Sequence, residues 1–590
     1  MDFRTTLAQC SLFANLTPEA LDRLAGICQP VELRGGQQLI KIGTRSDYLY
    51  IAVLGRLRAQ LADGSVAGDI GRLEPIGEIG LLSGEPAGAD VHALRDSLLL
   101  RIGRADLIEF VTAHPISLLA MTRTIVHRMR RNQRQTMLES VQRSRSFSIV
   151  PGSPLIAAGV VARRLHEALQ RCSQGAELID AATIDSALGP GFASSPMDQS
   201  ESHLQLMSWL NERESGEHHL LYSAEASEGA WAERCLRQSD RILFLVDVRS
   251  PPRRSELLDT LRSLELPAPV DLILLRDKSA PAGDVAGWKK MLGANAHYFL
   301  RPDEPGDYAA IARQIAGRGV GLVLSGGGAR GFAHIGLIRA LEELKIPVDL
   351  AGGTSMGAFC SGLLASGHDS NAIRRIAYET FVTHNYLNDY VLPRVSLIRG
   401  RKFLARLRSI FGERLIEDLQ VPYFCVSSNL TKAKTMVHDS GLMAVWIGTS
   451  MAIPGMAPPV VWRGELLVDG AVTNGLPTDI MHALGRGPII ASDVSTEGGL
   501  RAPGVEGPDP EALLRRTSNR SKVSLMQILS GGMALTSESG VRQRAGRADL
   551  YLRMPISGIA LFDWKRLDEI IDRGYEFAMP RLEKFKSEML

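Results

Sequence analysis

The chain has 590 residues, more than one hydrophobic core usually organises, and 45% apolar against 22% charged residues mark a folded protein rather than a disordered one. Lys and Arg number 67 against 65 Asp and Glu, a surplus of two, so overall charge argues for no nucleic acid and no strongly acidic partner. Cys10, Cys28, Cys172, Cys235, Cys360 and Cys425 fall in no paired spacing. They read as reduced thiols of a cytoplasmic protein, not a disulfide framework or a cysteine zinc site. No metal and no other cofactor is called for. Met1-Asp2-Phe3-Arg4 lacks the basic and apolar regions of a signal peptide, and no apolar run approaches the ~18–20 residues that cross a bilayer.

Along the chain, Thr17 before Pro18 and Glu19 predicts a capped helix over Pro18–Cys28. Strands are predicted at 47–53, 55–61 and 97–102, with glycine turns between them, and helical spacing over 105–135. That helix ends in a basic cluster containing Arg123, His127, Arg128, Arg130, Arg131 and Arg134. Contact of Arg128–Arg134 with anionic lipid competes with a solvated helix face, the simpler account. Residues 146–315 alternate strands (145–150, 219–223, 241–247, 271–275) with helices (155–170, 230–238, 253–264), the pattern of a parallel α/β sheet. The segment 184–203 reads as a loop, and a boundary falls near Arg301–Gly306. From Val320 the α/β pattern resumes.

The chemistry sits in this last part. A buried-strand signal at 320–324 runs into Ser325-Gly326-Gly327-Gly328-Ala329-Arg330-Gly331 and then a helix with apolar Phe332, Ile335, Ile338, Leu341 and Leu344. Strand, glycine loop and helix start present unpaired N–H groups to an anion, either a phosphate or an oxyanion. The loop lacks the lysine of a P-loop and the acid of a dinucleotide site, which disfavours phosphate. Next, Gly353-Thr354-Ser355-Met356-Gly357 puts a serine on a sharp strand-to-helix turn. Alone this motif is weak in a chain with 57 glycines. Ser355 needs a base. His368, His384, His438 and His482 stand in no strand-end motif and read as packing or surface residues. Asp469 ends the strand signal Glu465–Val468 and is followed by Gly470-Ala471. It is either a base at the sheet edge where active sites collect or an ordinary turn aspartate.

Taken in order, Gly326–Gly331, Gly353–Gly357, Met451-Ala452-Ile453-Pro454-Gly455 and Asp469-Gly470-Ala471 resemble the patatin-like phospholipases over about 320–590. The resemblance implies a Ser355–Asp469 dyad without a catalytic histidine and Gly353 and Gly357 flanking the nucleophile. It also implies an oxyanion hole in the loop of Gly326, Gly327 and Gly328, with Arg330 nearby; His334 would be a helix residue, not the base.

At the front, Ile76-Gly77-Glu78-Ile79-Gly80-Leu81-Leu82-Ser83-Gly84-Glu85-Pro86-Ala87 resembles the phosphate cassette of cyclic-nucleotide-binding domains. The resemblance implies Gly77 and Glu78 as the start of the cassette helix, with Glu78 facing a ribose hydroxyl. The family's phosphate-pairing arginine is replaced by Ala87, so the fold is expected without tight cyclic-nucleotide binding, and Arg95 is too far along to be assumed a substitute. The stretch Trp231–Arg241 with the strand after it resembles the region between such modules in the neuropathy target esterase family, whose bacterial members nearly the whole chain resembles. In the middle region Val150-Pro151-Gly152-Ser153-Pro154 stands at a P-loop-like place without Gly-Lys-Ser/Thr, so no nucleotide hydrolysis is expected.

The expected fold is multidomain α/β. It comprises an N-terminal β-roll at 1–140, a middle parallel Rossmann-like region at 141–315, and a patatin-like α/β hydrolase with a parallel-rich sheet at 316–590. The expected activity is cleavage of acyl esters of lysophospholipids or phospholipids with release of fatty acid, in the cytoplasm or peripherally on the inner membrane face. The alternative is a ligand-sensing or scaffolding protein with a silent hydrolase domain.

Overall fold

The computed structural model describes residues 3–13, 16–45, 47–123, 144–196, 201–264, 268–277, 282–384, 386–392, 394–495 and 543–589. They gather into two units, Met1–Ala309 and Ala310–Leu590.

Short antiparallel strands build the front of the first unit. One four-stranded sheet runs Gln29–Leu33, Ser97–Gly103, Tyr48–Leu54, Pro75–Ile76; the other runs Gln38–Ile40, Asp90–Ala93, Leu57–Gln60, Val66–Ile70. Of these eight, the sequence pattern marks three, because runs of two to five residues are too short to show a period-two alternation. Thr17 accepts from the Ala20 amide at 3.3 Å and opens the helix Pro18–Ile27 as expected. The helix predicted over 105–135 is broken. Arg104–Ala113 ends before Pro115, whose ring cannot continue the hydrogen-bond ladder, and helix resumes at 116–123. The basic cluster beyond Arg123 lies outside the described residues.

Behind it stands a six-stranded, wholly parallel sheet in the order Ala176–Ile179, His219–Ser223, Ser146–Pro151, Arg241–Asp247, Val270–Leu275, Ala296–Leu300. Its four inner strands are the four expected. The two edge strands carry less continuous apolar sequence because only one side is paired, and the pattern misses them. The segment 184–203 is not all loop: the helix Ala181–Leu188, capped by the Asp180 carboxylate on Thr183 N, and the helix Glu201–Glu214 enter it. At the P-loop-like turn, the Glu225 carboxylate accepts from Ala158 N (3.2 Å) and Gly159 N (2.8 Å), so a side chain of this chain takes the anion position at the start of the helix Ala158–Cys172.

Buried charges join the β-roll to this sheet. Arg95 donates to Glu214, to Asp240 (3.0 Å) and to Ser146 Oγ (3.0 Å), while Asp96 accepts from Arg237 Nε (3.1 Å) and the Gly35 amide (2.9 Å). Burial opposes the Arg95 charge, and the Glu214 and Asp240 carboxylates more than offset it.

In the second unit a mixed sheet runs Val460–Trp462, Glu465–Asp469, Tyr423–Asn429, Leu350–Gly353, Gly321–Leu324, Ile489–Asp493, Leu550–Arg553, with Lys434–His438 paired to Tyr423–Asn429. From Tyr423–Asn429 to Leu550–Arg553 the pairing is parallel; Glu465–Asp469 and Val460–Trp462 join antiparallel. The helix Ala333–Glu343 buries Ile335, Ile338 and Leu341 as expected, while Phe332 is buried in the 3-10 turn before it and Leu344, just past its end, is half-buried; the helix meets Leu567–Met589 at two glycines: a Cβ on Gly336 would stand 2.1 Å from Ile571 O and one on Gly574 2.3 Å from Ala333 O.

Replacing Arg95 by Met leaves Glu214 and Asp240 as uncompensated buried carboxylates. Urea unfolding of the Arg95→Met protein is expected to show a loss of about 3–5 kcal/mol, partly recovered by adding Glu214→Gln.

Candidate active site

Ser355 sits between the strand Leu350–Gly353 and the helix Met356–Ala365 with φ 54° and ψ −119°, a conformation costly for a residue with a Cβ. The flanking glycines make the turn sterically feasible. A Cβ on Gly353 would lie 2.6 Å from Gly357 C, and one on Gly357 would lie 2.1 Å from Leu324 O. The Ser355 amide donates to Ser450 Oγ at 2.9 Å, and the Ser355 hydroxyl donates to Asp469 Oδ2 at 2.7 Å.

Asp469 ends its strand opposite Ser427 of Tyr423–Asn429. Residues 423–425 of that strand pair with 351–353, and 427–429 pair with 467–469, so the strands leading to Ser355 and Asp469 share a neighbour, run toward one another along it and end two residues apart. The other Asp469 oxygen accepts from the Ala471 amide at 2.8 Å, and the Asp469 amide donates to Ala452 O at 2.9 Å. The segment that carries the Met451–Gly455 motif, together with Ser450 just before it, thus pins the backbone at both Ser355 and Asp469. Burial pushes the Asp469 carboxyl up from 3.8 to about 6, against the opposing pull of its bonds to Ala471 and Ser355.

The glycine loop passes beside the serine. Gly326 donates its amide to Gly475 O at 3.1 Å, so that N–H is already taken up, and its missing side chain leaves room beside Ser355 Cβ, which a Cβ at 326 would approach to 3.2 Å. The amides of Gly327 and Gly328 have no partner among the described residues. Gly328 has φ 57°, and a Cβ there would meet Leu561 O at 2.3 Å. Arg330 Nε donates to Gly327 O at 3.2 Å, bracing the loop.

No histidine hydrogen-bonds Ser355 or Asp469 among the described residues. His334 is fully buried between Ser492 Oγ and Ser325 O, both at 2.9 Å. A carbonyl only accepts, so Nε2 carries the proton and Nδ1 accepts from the serine. Burial depresses its pKa to about 4 and keeps it neutral. His438 stacks on Trp446 and pairs with Ser427 Oγ at 2.7 Å. His384 bonds Glu379 O, and neither His368 nor His482 is fully buried. Among the described residues no His, Cys, Asp and Glu cluster is arranged to hold a metal.

Ser355 and Gly328 open into a cavity of about 240 Å³ whose wall is mostly apolar, with Met356, Phe381, Phe403, Met451, Phe562 and Trp564 among its lining. Of the site residues expected from sequence, Ser355 and Gly328 line this cavity; most of the apolar wall comes from separate stretches of the chain with no common spacing and carries no motif.

Comparison with known proteins agrees with this architecture. Residues 322–482 match the patatin-like phospholipase family, 144–315 the P-loop-like domain of the neuropathy target esterase (NTE) family, and 30–114 the cyclic nucleotide-binding domain. An uncharacterized NTE family protein of Mycobacterium tuberculosis is 30% identical over 592 residues, covering 99% of this chain and 97% of that one. This chain belongs to the NTE family. A lysophospholipase of Aspergillus fumigatus is 28% identical over 677 residues, covering 99% of this chain and 44% of its own, and human patatin-like phospholipase domain-containing protein 6 is 28% identical over 635 residues, covering 97% and 45%. The chain spans less than half the length of those two relatives. It is an enzyme of the patatin-like hydrolase class.

In this NTE family member the front cassette has its expected shape but not the arginine. Gly77 adopts φ 85° and starts the helix Glu78–Ser83, with Glu78 buried. Ala87 packs against an apolar cluster and exchanges backbone bonds with Gly43 and Thr44, while Arg95 is held by Glu214 and Asp240. Calorimetry with cyclic AMP and cyclic GMP is expected to give no micromolar binding.

A carboxylate must be ionised to take a proton, so any turnover that used Asp469 as its base would fall as pH drops through about 6. Because its folded pKa lies above the unfolded value, the folded state keeps the proton where the unfolded chain has released it. Stability therefore declines as pH rises from 3.8 to about 6. Asp469→Asn is expected to stabilise the protein against urea at pH 7 by up to roughly 3 kcal/mol and much less at pH 4.

Proposed function

We propose that this chain is a serine esterase that hydrolyses acyl ester bonds of lysophospholipids and phospholipids and releases free fatty acid. The buried 2.7 Å hydrogen bond from Ser355 to Asp469, at the polar end of an apolar cavity, carries the reading.

The substrate's acyl chain lies along the cavity with its ester carbonyl at Ser355. Asp469 takes the hydroxyl proton as Ser355 Oγ attacks. The tetrahedral oxyanion is met by the Gly327 and Gly328 amides, donors of a kind worth roughly 3–4 kcal/mol each in the transition state. Gly326 and Arg330 shape the loop rather than donate from the Gly326 amide or Arg330 Nε. Protonated Asp469 then gives its proton to the leaving glycerol oxygen, and the acyl group stays on Ser355. Water, deprotonated by Asp469, attacks the acyl-enzyme and frees the fatty acid. A carboxylate serves as base here because desolvation has brought its pKa towards neutrality.

On this reading the chain divides into modules 1–140, 141–315 and 316–590 and sits in the cytoplasm or peripherally on the inner membrane face. Among the described residues no helix is long and apolar enough to cross a membrane.

Incubation with a lysophospholipid and with a soluble fluorogenic short-chain ester, followed by fatty-acid or fluorophore release, tests the reading. The unmodified protein turns both over, whereas Ser355→Ala and Asp469→Ala each lose roughly 10⁴-fold or more. A fluorophosphonate labels Ser355 alone. Equal turnover in the two variants would refute the assignment.

A further inference from the structure

The rim of the cavity carries side chains that its interior does not use. The described residues 386–392 and 394–402 carry two paired stems. Tyr390 bridges Ile398, the Val391 amide donates to Leu397 O at 3.0 Å, and the Arg399 amide donates to Asp389 O at 3.0 Å. The returning stem is tied to a neighbouring strap by Leu397 N to Gly455 O (2.9 Å) and Ile398 N to Met456 O (3.0 Å). Leu387, Ile398 and Arg399 line the cavity that holds Ser355. Beyond these stems, Leu392 is 82% and Val395 68% exposed, and Tyr390 also faces water. A second part of the same rim runs from Val460, which lines the cavity, to Val461, which is 70% exposed.

Large apolar side chains held out in water by a hydrogen-bonded stem contribute nothing to the fold and mark a contact surface. Charge says what it contacts. Between 386 and 402 the basic residues are Arg394, Arg399, Arg401 and Lys402, and Asp389 is the one acid, a local net charge of 4 − 1 = +3. All four basic side chains are exposed, whereas Asp389 is half-buried and its carboxylate accepts from the Gly400 and Lys402 amides, both at 3.3 Å. Apolar tips ringed by Arg and Lys are the composition that seats a protein at the headgroup level of an anionic bilayer.

We propose that Tyr390, Leu392, Arg394, Val395 and Val461 form a docking surface for an anionic phospholipid membrane, with the mouth of the Ser355 cavity facing the lipid. An acyl chain then passes from the bilayer into the apolar cavity without crossing water. The proposal rests on the esterase reading for its purpose, but membrane binding itself requires no catalysis. It is distinct from the basic residues Arg128–Arg134 marked in the sequence.

Co-sedimentation of the full chain with vesicles of phosphatidylcholine, alone or mixed with phosphatidylglycerol, tests it. Binding to the anionic vesicles is expected to exceed binding to neutral ones by about tenfold or more and to weaken with salt. Leu392→Asp with Val395→Asp is expected to lower anionic-vesicle binding at least about tenfold. The same variant retains turnover of a soluble short-chain ester and loses turnover of vesicle-borne lysophospholipid. Arg394→Glu, which leaves the apolar tips intact, is expected to weaken binding by roughly tenfold as well. Ser355→Ala binds vesicles like the unmodified protein, which separates failure of this surface from failure of the esterase reading. Variants that bind as well as the unmodified chain, equal binding to neutral and anionic vesicles, or self-association through these residues without vesicle binding would each overturn the proposal.

Discussion

Ser355 and Asp469 lie 114 positions apart and share one 2.7 Å hydrogen bond, which exists because the strand Tyr423–Asn429 changes partners partway along. Its first residues pair with the strand that leads to the serine, and its last pair with the strand that ends in the aspartate. Ser450 Oγ and Ala452 O then fix the two backbones from one short segment. Buried together, the two side chains raise one another's chemical value. The carboxylate loses water and becomes a stronger base, and the hydroxyl gains an acceptor that holds its oxygen in place. The glycine loop and the apolar wall are arranged around that pair.

The glycine loop, Gly353–Gly357 and Asp469-Gly470-Ala471 are all legible as residue patterns, because each is a local requirement: a backbone that must pass closely, a turn no side chain can enter, a strand end. The parallel sheets are legible too, since strands buried on both faces read as apolar runs. What sequence does not show depends on distance. The partner change within Tyr423–Asn429, the two-sided role of Ser450–Ala452 and the cavity wall each join residues far apart in the chain. Short strands such as Gln38–Ile40 and Pro75–Ile76 carry too few residues for any period. Pro115 does announce the break in the helix predicted over 105–135, and the apolar spacing on either side of it conceals that signal.

In the first unit two ligand-binding shapes persist with their charges otherwise engaged. The cassette has Ala87 where an arginine would face a phosphate, and the nearby Arg95 is locked among Glu214, Asp240 and Ser146. The P-loop-like turn has its helix start filled by Glu225. In both places the chain's own side chains satisfy the electrostatics that a bound phosphate would otherwise satisfy. The β-roll and the parallel sheet are joined by the same buried charges, which favours their behaving as one mechanical piece.

Insertions and deletions meet very different ground on the two sides of the shared strand. At 430–433 and at Arg463-Gly464 the chain turns with residues in left-handed conformations, Ala433 at φ 51° and Arg463 at φ 50°, and an added residue there would lengthen an exposed bend. Within 425–427 there is no such slack. One extra residue would swap the two faces of everything after it, turning the position opposite Asp469 from inside to outside. The spacing between the two motifs in the chain is therefore elastic, while the seven residues that bridge them in space are not.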